Sequence, residues 1–282
     1  MPITLSHPDK ILWPETGHTK RDLLDHYEAV WARMERYVTG RPLSLVRAPD
    51  GVDGQRFFQK HASKGMSEAI RVSTDPEDGS ELLSIDGFDG MAALVQMGVV
   101  EVHVWGAALD ALDRPDTLVF DLDPDEGLDA AAVRAAALEV RRRLEGAGLR
   151  SLAKASGGKG FHVVVPLKPK ADWAAARTFA HDLARAMEQS DPKKYTATLS
   201  KAARHGRVFI DYLRNGRGAT AVAPWSSRAR AAATVAVPVS WQAVEDGVGP
   251  ADVTLGSKRL DAALKAPDPW ADYEGLRTAV PE

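Results

Sequence analysis

Two carboxylates one residue apart, Asp121 and Asp123, lie in an apolar run that reads LVFDLDP from Leu118 to Pro124. Alternate side chains of an extended strand share a face, so both acids project together while Phe120 and Leu122 pack behind them. Like charges that close repel, and one would keep its proton unless a cation lay between them. Hard divalent ions, magnesium or manganese, are suited to this, binding through carboxylates together with substrate phosphates. The plainer alternative is a turn at the strand end, for which Asp-Pro-Asp is suitable, and Asp125 fits turn or helix-cap chemistry. An EF-hand loop starting at Asp121 fails, because Glu126 and Ala132 stand where glycine and glutamate are required. A phosphatase using the first aspartate as nucleophile fits the segment. So does a polymerase-type two-metal site, provided that another strand brings a third carboxylate. The segment RVFIDYL, residues 207–213, offers one in Asp211.

Asp211 is the one acid between Lys193 and Arg230, a window with Lys193, Lys194, Lys201, Arg204, Arg207, Arg214, Arg217, Arg228 and Arg230. Such a window is either a solvated surface or a polyanion-binding face built around a metal ligand. SGGKGFHVVV, residues 156–165, is the next signal. Its Ser-Gly-Gly loop exposes backbone amides, and Lys159 and His162 can aim donors at phosphate oxygens. A Walker A loop is excluded, since GKG here runs into a strand; a simple hairpin with an exposed lysine is the alternative. His162 faces away from Val163 and Val165. On its own strand His103, with Glu101, faces away from Val102 and Val104, and a satisfied core histidine is the commoner fate of either. Phe57 and Phe58 are adjacent in a strand-like segment, so they point to opposite faces. Packing in the core is the commoner outcome for both, and stacking of one on a nucleobase is the functional one. Lys10 and Lys20 flank the loop ILWPETGHT, whose basic ends could hold a phosphate or could simply be surface.

The elements that must position these residues are marked by periodicity. TKRDLLDHYEAVWARMERY, residues 19–37, predicts a helix with Thr19 as N-cap and Leu23, Tyr27, Val30, Trp31 and Met34 as its stripe. Further helices are predicted at about 88–97, 129–145 and 172–188, the one at 129–145 ended by Gly146 and Gly148. Strands are predicted at 43–47, 56–60, 99–105, on either side of the Ser-Gly-Gly loop, at 207–213 and in TVAVPVSW. This alternation, with hairpin-like pairs and no GxGxxG, predicts an α+β (mixed α/β) fold rather than a Rossmann repeat. The chain has 282 residues, 44% of them hydrophobic, a net charge of −3 and no cysteine. Disulfides and zinc–thiolate sites are therefore excluded, and the overall charge carries no basic footprint. The N-terminus lacks a signal-peptide pattern, and no apolar run approaches the roughly 18 residues of a membrane span. The expected location is the cytoplasm, with the nucleoid, and the expected partners include no membrane.

Taken in order, KILWPETGHTKRDLLDHY, RFFQKHA, EVHVW, LVFDLDP, SGGKGFHVVVPL, RVFIDYLRN and TAVAPWSSRAR resemble the polymerase domain of bacterial ATP-dependent DNA ligase D. That family lies in the archaeo-eukaryotic primase superfamily. The resemblance covers nearly the whole chain and implies a single primase-polymerase domain over 1–282, stand-alone or excised. Residues 1–100 would serve DNA-end and 5′-phosphate contacts, 100–235 the catalytic core and 236–282 C-terminal packing. It implies a template-dependent nucleotidyltransferase, preferring ribonucleotides, that extends primer 3′ ends and fills gaps at double-strand breaks in non-homologous end joining. Asp121, Asp123 and Asp211 would hold two divalent ions, Mn2+ or Mg2+. Ser156, Lys159, His162 and Arg228 match triphosphate contacts, and His103 a position near the incoming nucleotide. Phe57 and Phe58 match residues that stack on the template, Lys10 and Lys20 a pocket for the downstream 5′-phosphate, and Arg47 and Lys60 DNA or nucleotide contacts. Implied partners are nucleoside triphosphates and gapped or 3′-overhang DNA ends carrying a 5′-phosphate. Ku and a separate DNA ligase are implied by the family alone. Trp225 departs from the tyrosine usual in the family.

Overall fold

Helices form where the apolar stripes place them. In the computed structural model, which describes residues 4–281, helix α1 spans Lys20–Val38. Thr19 caps it reciprocally with Asp22: the Thr19 side chain accepts from the Asp22 amide, and the Thr19 amide donates to Asp22 Oδ2 at 2.7 Å. Leu23, Tyr27, Val30 and Met34 of the stripe are fully buried. The chain divides into two compact units assembled from interleaved segments. The first takes the chain up to Trp105 with Val222–Ala236 and Val253–Pro267; the second takes Gly106–Ala221, Val237–Asp252 and the residues from Asp268 onward.

The first unit is built on strands β1 (Leu43–Arg47), β2 (Phe57–Gln59), β3 (Ile70–Thr74), β4 (Glu81–Ile85) and β5 (Val99–Trp105), with helix α2 (Phe88–Gln96) before β5. β1 is central, pairing antiparallel with β5 on one side and with β2 and β4 on the other, while β3 pairs with β4. The β1–β2 register sets Arg47 opposite Phe57 and Val46 opposite Phe58. Both phenylalanines are exposed, 44% and 58%. The expectation that both would be core is thus overturned: β2 is a three-residue strand with its side chains largely in solvent on both faces.

The second unit carries a six-stranded sheet. In chain order its elements are β6 (Thr117–Pro124), α3 (Ala130–Gly146), β7 (Leu152–Ala155), β8 (Phe161–Pro166), α4 (Trp173–Ser190), β9 (Tyr195–Thr196), β10 (Val208–Asp211) and β11 (Val237–Val239). Spatially the order is β9-β10-β6-β8-β7-β11, antiparallel throughout except for the β9–β10 pair. Asp129 and Asp172 cap α3 and α4. One face of the sheet, with Phe120, Leu122, Ile210, Phe161, Val163 and Val165, is entirely buried. The opposite face carries the polar row described below. The TVAVPVSW strand shrinks to Val237–Val239, and the RVFIDYL strand ends at Asp211, where the Leu213 amide turns back onto Asp211 Oδ1 at 2.9 Å. Among the described residues no helix is long and apolar enough to cross a membrane.

Candidate active site

Strand pairing in the second unit converts residues far apart in sequence into a row. Asp211 of β10 lies directly opposite Asp121 of β6, and Asp121 lies opposite His162 of β8, which in turn lies opposite Lys154 of β7. Directly opposed residues share a sheet face, so two acids and two bases line one face across four strands. Asp123, two residues along β6, joins that face beside Phe209. His162 Nε2 is 3.5 Å from Asp121 Oδ1, and the imidazole is buried.

Guanidinium groups lie on all three aspartates. Arg214 Nε sits 3.3 Å from Asp121 Oδ2 and 3.1 Å from Asp211 Oδ2. Arg204 Nη1 lies 2.5 Å from Asp123 Oδ2, with its guanidinium 4.0 Å from the centroid of the Phe209 ring. Burial pushes the Asp211 carboxyl upward from its ordinary range; Arg214 and the Leu213 amide oppose that shift. Among the described residues no three carboxylate or imidazole groups form a ready-made metal cage. The donor set nevertheless fits a hard cation: opposed oxygens, a third carboxylate on the same face, and stand-in cations already drawn onto them.

The loop between β7 and β8 is held against this row. Ser156 Oγ donates to Gly160 O at 2.6 Å and accepts from the Gly158 amide at 3.2 Å, while the Gly157 amide donates to Pro250 O at 2.8 Å. Ser156 therefore shapes the loop. Gly160 lies so close to β6 that a Cβ there would fall 1.6 Å from the carbonyl oxygen of Leu122, the residue between the two aspartates. Lys159 reaches Glu126 at 3.2 Å and is half exposed.

His103 and Arg228 belong to the first unit and meet at Glu101. Glu101 Oε2 lies 2.8 Å from His103 Nε2, and Oε1 accepts from Arg228 Nε at 3.0 Å and from the Ala229 amide at 2.7 Å. Phe58 stands edge-on to His103 with ring centroids 6.3 Å apart, and Lys60 Nζ lies 5.6 Å from the Phe58 ring centroid. Lys10, Lys20 and Arg47 come together in a pocket of about 380 Å3, whose other lining includes Ser6, His7 and Gln96. Lys20 is buried, donating to Ser6 O and Gln96 Oε1, each at 3.0 Å. Burial, then the charge of Lys10, lowers its pKa. Burial also lowers that of Arg47, which donates from Nη1 to Gln59 Oε1 at 3.0 Å.

The sequence reading passed over Lys154, Arg204 and Arg214 as site members, and Glu101 as a hub. The last three carried a signal: the basic window around Asp211, and the shared face of Glu101 and His103. Lys154 carried none, because only register places it beside His162.

The chain matches the family described as the LigD primase-polymerase domain over residues 19–270. It is 38% identical over 283 residues to the multifunctional non-homologous end joining protein LigD of Pseudomonas aeruginosa, covering 99% of this chain and 34% of that protein. It is 27% identical over 266 residues to the bifunctional non-homologous end joining protein LigD of Bacillus subtilis, covering 94% and 43%. Among solved structures it matches the polymerase domain of Mycobacterium tuberculosis Ligase D in complex with DNA, with a TM-score of 0.87, 31% identity and coverage of 97% and 98%. The chain thus spans well under half of the curated relatives named here, and nearly all of that excised domain. Fold and sequence together define a nucleotidyltransferase of the primase-polymerase class. The chain belongs to the LigD primase-polymerase domain family.

Proposed function

We propose that this chain is a template-dependent polymerase that extends primer 3′ ends and fills gaps at double-strand breaks in bacterial non-homologous end joining, preferring ribonucleotides. The opposition of Asp211 and Asp121 across β10 and β6, with Asp123 on the same face, carries this reading. These three carboxylates would hold two divalent ions, Mn2+ or Mg2+. Bound there, the ions would supply Lewis-acid activation of the primer 3′-hydroxyl and neutralise charge on the triphosphate as pyrophosphate leaves. The chain's own residues do the rest. His162 and Lys159 offer donors to triphosphate oxygens, and the buried Ser156 keeps the loop amides presented. Arg228 and His103, both bonded to Glu101, would contact the nucleotide as the family resemblance implies. The pocket of Lys10, Lys20 and Arg47 takes a 5′-phosphate, the exposed Phe57 and Phe58 stack on template bases, and Lys60 supports the DNA backbone. Ku and a ligase are partners in this scheme, acting beside the nucleoid.

Extension of a labelled primer on a gapped duplex, with manganese and each nucleotide in turn, tests the proposal. Asp121→Ala and Asp211→Ala are each expected to lose at least about a thousandfold in rate, as for removal of central catalytic groups, with cooperative unfolding retained. Extension at the unmodified rate by either variant refutes it. Release of phosphate from small esters without primer extension would indicate a phosphatase, and DNA-end binding without either activity a non-catalytic module.

A further inference from the structure

We propose that Glu101 is a positioning residue for nucleotide binding, whose one carboxylate fixes the proton of His103 and the orientation of Arg228 together. The inference rests on the polymerase reading, in which those two side chains contact the incoming nucleotide. β5 sets Glu101 and His103 two residues apart on the same face, and the segment after Trp225 brings Arg228 to them. Both oxygens of Glu101 are engaged, Oε2 by His103 and Oε1 by the Arg228 side chain and the Ala229 amide.

Burial pushes the Glu101 carboxyl upward, but the hydrogen bond from His103, the Arg228 and His103 charges and the Ala229 amide outweigh it and hold the group at about 2. An ionised carboxylate only accepts hydrogen bonds, so His103 Nε2 must carry a proton. Nδ1 is then the atom that varies: an acceptor in the neutral ring, a donor in the imidazolium. Beside His103 lie Glu101, the Arg228 that shares the other Glu101 oxygen, and Lys60 beyond the Phe58 ring. β1 brings Ser44 opposite.

Neutral bonds also hold this segment in place. The Ala223 amide donates to Val102 O, Ser226 Oγ accepts from the Val102 amide, Ser227 Oγ donates to Val100 O, and Trp13 Nε1 donates to Arg228 O. Four such bonds tie the segment down as far as Arg228 itself. Burying a carboxylate is costly unless it is fully paired, and what this one adds is a shared acceptor that couples His103 to Arg228.

Glu101→Gln separates the roles. Its amide oxygen can still accept from Ala229 and Arg228, but its NH2 group faces Nε2–H of His103 as donor to donor, driving the ring to the Nδ1–H form. Titration calorimetry with a non-hydrolysable ribonucleoside triphosphate and manganese is expected to show about tenfold weaker binding in this variant. In primer extension KM rises by a similar factor with kcat little changed, and affinity for 5′-phosphorylated duplex is unaltered. In Glu101→Gln combined with His103→Ala, the added effect of the glutamine shrinks, whereas a structural defect would stay additive. In the unmodified chain, nitrogen-15 NMR of the histidines should show His103 protonated on Nε2. Unchanged nucleotide affinity and KM in Glu101→Gln would overturn the inference. So would equal loss of nucleotide and DNA binding in a folded variant. If that variant does not fold, the wild-type spectrum decides: a proton on Nδ1 alone refutes the role. Failure of the polymerase reading looks different, since the unmodified chain then adds no nucleotide.

Discussion

Asp211 and Glu101 are both buried acids, and their surroundings push them in opposite directions. For Asp211 burial dominates and the carboxyl is raised, since Arg214 reaches it from a partly exposed side chain and Asp123 adds like charge. For Glu101 a histidine, an arginine and a backbone amide together overcome burial, bringing the carboxyl from 4.5 to about 2. A depressed acid stabilises the fold in its ionised form. That contribution is fully present above the unfolded value, near 4.5, and is lost as pH falls from there toward 2. A shift of this size corresponds to roughly 3 kcal/mol. Urea denaturation should therefore find Glu101→Gln less stable than the unmodified chain at pH 7 by roughly that amount. The gap narrows steadily between pH 5 and pH 3. A gap independent of pH would show that the ionised carboxylate is not the stabilising form.

At the scale of elements, what was legible in the sequence was what depends on local spacing. The stripe and cap of α1, the glycine stop after α3 and the strand phase that makes Asp121 and Asp123 neighbours all depend on residues a few positions apart. What depends on pairing between distant strands was partly or wholly hidden. Asp211 could be nominated as a third acid from its setting, but its place opposite Asp121 needs the β6–β10 register. Lys154 needs the β7–β8 register, and the exposure of Phe57 and Phe58 reflects the three-residue length of β2 and its place on β1. Gly160 shows the same coupling from the other side. Its missing side chain lets the loop close onto Leu122 O, so Gly160→Ala must displace either the loop or the strand between the two aspartates. A destabilisation of about 2–4 kcal/mol is expected, as for overpacking at a backbone contact. Primer extension should fall more than DNA binding does, because the proposed DNA contacts lie on other elements. Thermal unfolding and gel assays on the one variant measure both, and full activity would show that the loop can reposition without moving the acids.

For the molecule as a whole, a net charge of −3 means that any attraction to DNA is local. The pocket of Lys10, Lys20 and Arg47 gathers three cationic side chains at which such attraction would arise. Lys20 is held there at a cost, since burial and the neighbouring Lys10 charge both disfavour its ammonium. Two of its three N–H groups are committed to Ser6 and Gln96, which fixes its position. Lys10 is less constrained, pairing with Asp50 at 3.2 Å across an exposed surface, where such a bond is worth little. A phosphate dianion entering the pocket would offset the cost at Lys20 and draw Lys10 from Asp50. The unmodified chain should thus bind a recessed duplex end bearing a 5′-phosphate more tightly than the same end with a 5′-hydroxyl, by about tenfold for a charge-assisted contact. Lys10→Gln should narrow that ratio and lower the salt dependence by about one phosphate contact. Lys20→Gln should abolish the preference while extension of an open primer-template persists. Fluorescence anisotropy with the paired duplexes at several salt concentrations measures each quantity. Equal affinity for phosphate and hydroxyl ends in the unmodified chain would remove the pocket from DNA-end recognition and leave its lysines as a charged surface alone.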